Sequence, residues 1–412
     1  LRRGNLMQCE QGAIIHHPSS GRDDAKVELT EHLLELGDLQ FEKCELDASE
    51  RTFQEAFEIA RGMEDTWLTS QAIAKLLQLA GENLDNEKIN FWQNELDQII
   101  HQAEKIHPDA WYGKGKIEDY QGNRLEAQRY YHRAIDTLRL AKNENLIDEP
   151  AFQVRMTRYQ AVMVTLFLQK GQSKRAEFFI EILLKQESVR SQKSIRGILY
   201  YSRGVIFEQK SDYTSALNWY RRADAMFLSD HNWYFHLYVL MRYGRLARLQ
   251  QRFEQASWYL ELVEHATDEQ SFGYFRNLIY SERDALRQES VDIVLDADEC
   301  SVRTREQDEI SFGKQYVLFD ILKALSLAHR RSSSREGLSK SQLIEQVWQE
   351  NYRPEAHDNK LYYNINRLRK LIEPDSKRPK YLLNWKEGYR LAPGIRVQLK
   401  IANDLSKSVV EG

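Results

Sequence analysis

HDNKLYYNINRLRKLIEPDSKRPKYLLNWKEGYRLAP occupies residues 357–393, and the reading of the chain turns on it. Leu361, Ile365, Leu368 and Ile372 recur at helical spacing and predict one buried stripe. At about 100° per residue, Tyr363, Asn366, Arg367 and Lys370 fall on the opposite face, with Tyr362 and Arg369 on its flanks. Asp358 stands where an N-cap is expected, and Pro374 follows the last turn. Beyond a basic turn, two short strands are expected, joined at Lys386-Glu387-Gly388.

The exposed face of this helix offers a guanidinium fork, a side-chain amide, two phenols and an ammonium group. Arginine matches guanine edges, an amide matches adenine, and a tyrosine meets a thymine methyl or a phosphate. A basic helix followed by a basic hairpin is how a winged helix-turn-helix holds duplex DNA, with the helix in the major groove and the hairpin on the flanking backbone. Upstream, Ser339 and Gln342 form a capping box ahead of the apolar stripe Leu343, Ile344, Val347 and Trp348. The N-terminus of that helix brings Ser339, Lys340 and Ser341 within reach of phosphate. Trp348 continues the stripe and is read as core.

These elements, in this order, resemble the C-terminal winged-helix domain of OmpR/PhoB-type response regulators over residues 291 to about 394. The family's short N-terminal sheet is matched by Ile293-Val294-Leu295 and Cys300-Ser301-Val302-Arg303, and its first helix by Gly313 to about Arg331. The run Arg367-Leu368-Arg369-Lys370 closes the recognition helix, and Gly388-Tyr389-Arg390-Leu391 closes the wing. The resemblance implies that Tyr362, Tyr363 and Arg367 read base edges, while Lys360, Asn364, Asn366 and Arg369 hold phosphates. Lys370 joins that DNA face. Trp385 stands where the family usually has a wing arginine, and Lys386 takes over its charge. The phenols of Tyr362 and Tyr363 replace the family's usual acidic and small residues. The family often occupies tandem half-sites in pairs, so the resemblance also allows a homodimer.

Residues 357–400 carry a net charge of about +7, whereas residues 1–290 sum to about −7. A total of −4 over 412 residues argues against a chain that coats nucleic acid throughout. One small basic domain on a larger acidic body is the expectation instead. Hydrophobic residues make up 42% of the chain and mean hydropathy is −0.64, and no apolar run approaches the roughly 18 residues that cross a bilayer. Cys9, Cys44 and Cys300 are far apart and odd in number, with no CxxC pair and no metal spacing, which points to a reducing cytoplasm and no metal or other cofactor.

The larger body carries a recurring pattern. Trp111-Tyr112-Gly113-Lys114-Gly115 is followed by Gly122, Ala127, Tyr131 and Ala134. Gly204, Phe207, Tyr213, Ala216, Tyr220 and Ala223 repeat it, as do Gly244, Phe253 and Ala256. Weaker copies are Phe167, Gly171 and Ala176, and Leu36-Gly37 with Phe53 and Ala56. From Ala176 to Ala216 to Ala256 the period is about 40 residues, in the range of helical repeats. These units resemble tetratricopeptide repeats over about residues 26–288, in five copies with a degenerate helix pair at 64–106. The resemblance implies a superhelix whose concave face is built by the first helix of each pair. That face is expected to present Tyr112, Lys116 and Asp119, then Tyr201 and Glu208, then Arg245 and Arg248, to a peptide or protein ligand. Arg245 and Arg248 lie one turn apart, where two forks can clamp a carboxylate or phosphate or simply stand in water.

The expected class is therefore mainly α: a helical-repeat superhelix at 26–288, then a small α+β winged helix-turn-helix at 291–400, between flexible ends at 1–25 and 401–412. No phosphate-binding GxxxxGK[ST] or GxGxxG loop, no GxSxG elbow and no HExxH helix occurs, and no catalytic role is expected. A transcription regulator is the leading expectation, with the repeats in the place of a sensor and duplex DNA as the partner of the wing and helix. The alternative is an interaction scaffold whose winged helix meets protein.

Overall fold

One short connection, used repeatedly, builds the first part of the chain. The computed structural model describes residues 21–268, 271–331 and 336–400. Helices α1 (Gly21–Glu42) and α2 (Leu46–Gly62) form the first pair, followed by α3 (Thr66–Asn83) with α4 (Asn86–Gln102) and α5 (Pro108–Tyr120) with α6 (Arg124–Asn143). Next come α7 (Glu149–Gln169) with α8 (Ser173–Leu183), then the single turn α9 (Glu187–Ser191). The pairs α10 (Lys193–Gln209) with α11 (Tyr213–Ser229) and α12 (Trp233–Leu249) with α13 (Phe253–His265) lead to a last helix, α14 (Gly273–Glu289). After most of these helices stands one residue with left-handed φ, among them Cys44, Glu64, Gly122, Gly171, Ser211, His231 and Gln251. The next N–H then bonds back five residues, as from Asp212 to Phe207 and from Asn232 to Phe227. Asp65, Asp85, Asp148, Asp212 and Asn232 cap the following helices through their side chains.

Small residues let the paired helices touch. Ala127, Ala134, Ala176, Ala216, Ala223 and Ala256 are all fully buried. Gly115 lies under the ring of Tyr131 and Gly204 under that of Tyr220, where a Cβ would come within 2.6 and 2.5 Å of ring carbons. The array is therefore a tetratricopeptide-like succession of helix pairs, with α3 and α4 as the divergent pair.

The array does not stay open. Phe41 packs on Tyr234 with ring centroids 4.6 Å apart, and Tyr120 meets Tyr274 edge-on at 4.7 Å. The Phe272 N–H donates to Asn83 Oδ1 at 3.1 Å. One apolar core consequently contains Leu34 to Ile117 together with Tyr234 to Leu286. The superhelix has bent until α12 and α14 pack on α1, α3 and α5. The expected concave face is present as the interior of a ring closed by these contacts.

The described residues divide into two compact units between Leu286 and Arg287. The second unit opens with β1 (Ile293–Asp296), β2 (Ser301–Thr304) and β3 (Ile310–Ser311). Helix α15 (Tyr316–Arg331), strand β4 (Leu338–Ser339), helix α16 (Lys340–Trp348) and helix α17 (Pro354–Ile372) follow, then β5 (Leu382–Trp385), β6 (Gly388–Leu391) and β7 (Val397–Lys400). One sheet has the order β3-β2-β1-β7, with β7 parallel to β1, and the other has the order β4-β6-β5. Leu295, Phe319, Leu322, Leu343, Leu361, Ile365, Leu368 and Tyr381 share one core between the helices and sheets.

Two expected boundaries move. Helix α1 begins at Gly21, inside the segment expected to be a flexible arm, while residues 1–20 and 401–412 lie outside the described residues. Helix α17 begins at Pro354, a turn before Asp358, so Asp358 is not its N-cap. Proline at the first helical position needs no N–H partner, and its fixed φ starts the helix there.

Candidate nucleic-acid interface and the repeat cavity

The buried stripe of α17 is Leu361, Ile365, Leu368 and Ile372, each at most 1% exposed. Tyr362 and Tyr363 stand 61% and 62% exposed on the outer face, well beyond what a tyrosine supporting a core would show. Arg367 and Lys370 are exposed beside them, and Asn366 is half-buried. The Arg367 guanidinium is steadied rather than neutralised: Nη2 donates to Gln315 Oε1 at 2.9 Å and the group lies 5.7 Å from the Tyr363 ring centroid. Both contacts leave its charge uncompensated.

Other expected residues are engaged. Lys360 reaches Glu350 at 3.4 Å and lies 4.8 Å from the Trp348 ring. Asn364 donates its amide to the Lys360 carbonyl at 2.8 Å. Asp358 accepts from Lys340 Nζ at 2.8 Å and from the Tyr352 hydroxyl at 2.5 Å, and these bonds hold its carboxyl below the usual range. Lys340 is thus tied to α17, and Ser339 Oγ lies 2.9 Å from Ser341 Oγ at the start of α16.

Arg369 corrects an expectation. Placed at a phosphate by resemblance, it is 9% exposed and points inward. Its Nε and Nη2 donate to the Leu382 carbonyl at 3.1 and 2.9 Å, and Nη2 also donates to Asn384 Oδ1 at 2.9 Å. The first strand of the wing would otherwise bury an unpaired carbonyl, and a fork supplies two donors to it. Arg369 therefore pins the wing to the recognition helix.

Glu373, which sequence periodicity did not single out, completes the joint. Its carboxylate is 3% exposed and accepts the N–H groups of Lys380 at 2.6 Å, Tyr381 at 3.0 Å and Leu382 at 2.7 Å. Burial pushes its pKa up, and those N–H groups pull against the shift. At the wing tip Lys386 takes a left-handed φ of 44° and lays its ammonium 4.5 Å from the Trp385 ring centroid. Trp385 is half-buried and Lys386 exposed, so the indole braces the cation.

In the repeat unit, Tyr112, Lys116, Asp119, Tyr201, Glu208 and Arg245 all line one cavity of about 930 Å³ inside the ring. Arg248 does not line it. It is 5% exposed and donates to Glu282 Oε2 from Nη2 at 3.0 Å. Arg245 pairs with the same Glu282 and donates from Nε to Glu208 Oε1 at 2.8 Å. Glu208 also accepts from the Tyr220 hydroxyl at 2.7 Å and from Arg242 at 3.2 Å. The expected Arg245 and Arg248 clamp is therefore corrected: two glutamates from other helices already satisfy both forks. Lys116 lies 4.6 Å from the Tyr120 ring centroid. Arg158 and Glu42, both on the cavity wall, were not legible as site residues.

Residues 317–391 match the family model described as "Transcriptional regulatory protein, C terminal". This range runs from the start of α15 to the end of the wing, and the unit that contains it is a winged-helix DNA-binding domain of the OmpR/PhoB type. A solved structure described as "Functional Characterization of Pseudomonas Aeruginosa pilF" is similar over 63% of this chain and 99% of that chain, at 15% identity and a TM-score of 0.33. Comparison with curated proteins found none that matches. Among the described residues, no helix is long and apolar enough to cross a membrane, and no His/Cys/Asp/Glu group could hold a metal ion.

Proposed function

We propose, from the DNA-binding domain that residues 317–391 form, that the chain is a sequence-specific transcription regulator whose repeat ring senses a ligand and controls the winged helix. The carrying observation is the outer face of α17. Tyr362, Tyr363, Arg367 and Lys370 are exposed together on a helix whose other face is core, beside a wing that ends in Lys386. In this reading α17 enters the major groove. Arg367 takes a guanine edge, and Tyr362 and Tyr363 take thymine methyls or flanking edges. Lys370, Asn366 and Lys386 meet phosphates, and Lys360 and Asn364 lie behind them.

The ring is the proposed sensor because its interior, rather than an open face, is what the helix pairs enclose. A peptide or a smaller ligand fits that interior better than a folded protein does. Work on DNA places the protein in the cytoplasm. Binding inside the ring shifts the population towards a DNA-competent arrangement, in proportion to the ligand's differential affinity for it.

Genome-wide mapping of sites bound by the full-length chain tests the regulatory reading, together with affinity for one mapped duplex at two salt concentrations. The expected results are a shared sequence motif and a steep fall of affinity with salt, about 0.9 log units per log unit of salt for each phosphate contact. Scattered sites and salt-independent retention would instead favour a scaffold whose winged helix meets protein. Pairs of motifs at one helical-turn spacing would support a homodimer on DNA.

A further inference from the structure

The ring interior holds charges of both signs that the fold leaves unpaired. Many of its wall charges are matched: Lys75 bonds Asp38 at 2.6 Å, and Arg242 and Arg245 bond Glu208. Arg158 on α7 and Glu42 on α1 differ. Both line the cavity, and neither side chain has a hydrogen bond or ion pair to any described residue. Burial opposes the charge on Arg158, but the carboxylates of Asp38 and Asp109 more than offset it and keep the guanidinium protonated. Burial, reinforced by Asp38, pushes Glu42 up to about 7, while Arg158 pulls it down. The two groups therefore lie close enough to feel each other and too far apart to pair.

The Arg158 fork is half-buried, faces the cavity and has no partner among the described residues, so its donors are open to a ligand. The wall nearby supplies apolar surface from Val162, Ile198 and Phe235, and the cavity, at about 930 Å³, falls within the roughly 300–1,000 Å³ of small-ligand pockets. The wall thus offers a site for an anion, a site for a cation and an apolar bed between helices. We propose that the ring binds a small α-amino-acid-type zwitterion, a free amino acid or a short oligopeptide, with its carboxylate on Arg158 and its ammonium group on Glu42. A bidentate guanidinium–carboxylate pair fixes one end, the carboxylate of Glu42 accepts from the ammonium, and the side chain rests on Val162, Ile198 and Phe235. Glu42 adjoins Phe41, whose ring packs on Tyr234 at the ring closure, so the ligand would tie the first helix pair to the middle of the array. This inference rests on the reading of the ring as the sensing part, and it narrows what is sensed.

The test uses the full-length protein and four probes: an equimolar pool of the protein amino acids, a pool of random tripeptides with free termini, and each pool again as C-terminal amides. A ligand that binds only the folded state raises the thermal midpoint by mass action. The expected result is a rise of a few degrees with one of the free-acid pools and none with its amide. Whichever free pool acts identifies the source as amino acid or peptide. In Arg158→Gln and in Glu42→Gln the rise should be lost. Equal response to acid and amide, no response to any pool, or a rise that survives in Arg158→Gln would overturn the proposal. The acid–amide comparison needs no variant, so a variant that misfolds leaves it intact. Duplex-DNA affinity is read separately on the same protein. Zwitterion binding without DNA binding would sink the regulatory reading alone, and DNA binding with no pool response would sink this one alone.

Discussion

The hydroxyl of Tyr234 donates a 2.6 Å hydrogen bond to the carboxylate of Glu82, which lies 152 positions earlier in the chain. Glu82 has no exposed surface, and its burial pushes its pKa up. The bond crosses the seam where the repeat ring closes, next to the Phe41–Tyr234 stack.

Tyr234→Phe keeps that stack and removes only the hydroxyl. The partner carboxyl is left buried without it, which costs about 1–3 kcal/mol. Urea unfolding of the full-length chain should show a lower midpoint for the repeat transition. An unchanged midpoint would mean that apolar packing alone closes the ring.

Arg367 and Arg369 are two residues apart on α17 and should behave as opposites. Arg369→Ala removes the fork from the Leu382 carbonyl and should destabilise the winged helix by about 2–3 kcal/mol, weakening binding to all duplexes alike. Arg367→Ala should leave melting within about 0.5 kcal/mol and cost about 1–3 kcal/mol on the cognate site only. Melting curves and affinities on cognate and random duplexes separate the two. A uniform loss for Arg367→Ala would reassign it to a phosphate.

Gly388 begins β6 where β4 crosses it. A Cβ there would come 1.9 Å from the Leu338 carbonyl oxygen and 2.7 Å from Ser339 Cα, both backbone atoms that cannot swing aside. Gly388→Ala should therefore break the Ser339–Gly388 pairing and loosen the wing. The expected readouts are a melting transition lowered by about 1–3 kcal/mol and weaker DNA binding. Normal melting with normal binding would show that β4 can detach without consequence.

Glu42 predicts a pH dependence. In the unfolded chain it titrates near 4.5, and in the fold burial raises it to about 7. Between these values the folded state holds a proton that the unfolded state has released, so stability falls as pH rises. The contribution is fully present below 4.5 and is lost as pH passes through about 7. Asp38 and Asp230 reinforce the shift, while Arg158 and Lys75 oppose it. Glu42→Gln should flatten the fall in thermal midpoint between about pH 4.5 and about 7 relative to the parent. Parallel curves for parent and variant would show that Glu42 ionises freely in the fold.

Local patterns were the legible ones. The Ser339–Gln342 capping box forms as its spacing demands, with both reciprocal bonds made. The alanines of the repeats are buried because a 3.6-residue period and a close helix contact leave no other place for them. The turns were legible only at Gly122 and Gly171. Elsewhere Cys44, Glu64, Ser211, His231 and Gln251 adopt the same left-handed φ without a glycine to announce it. Pro354 is the residue that marks the start of α17, a signal that the reading from Asp358 passed over.

By itself the sequence determined the two kinds of architecture and the face of α17 that looks outward. Hydrophobic period, caps and small residues act within a few turns, and their free energies depend on neighbours already adjacent in the chain. Only the tertiary structure decided which charged groups remain available. Arg369 turned inward because a carbonyl at Leu382 needed donors, and Arg245 and Arg248 were claimed by Glu208 and Glu282 from other helices. Arg158 and Glu42 line the cavity without a hydrogen-bond or ion-pair partner among the described residues, while Tyr234 is bonded to Glu82 across the seam. Ring closure sums a small rotation at every helix pair, and β7 joins β1 across most of the second unit. A buried charge takes whichever partner the completed fold brings within hydrogen-bonding distance, and that distance is set by contacts far apart in the chain.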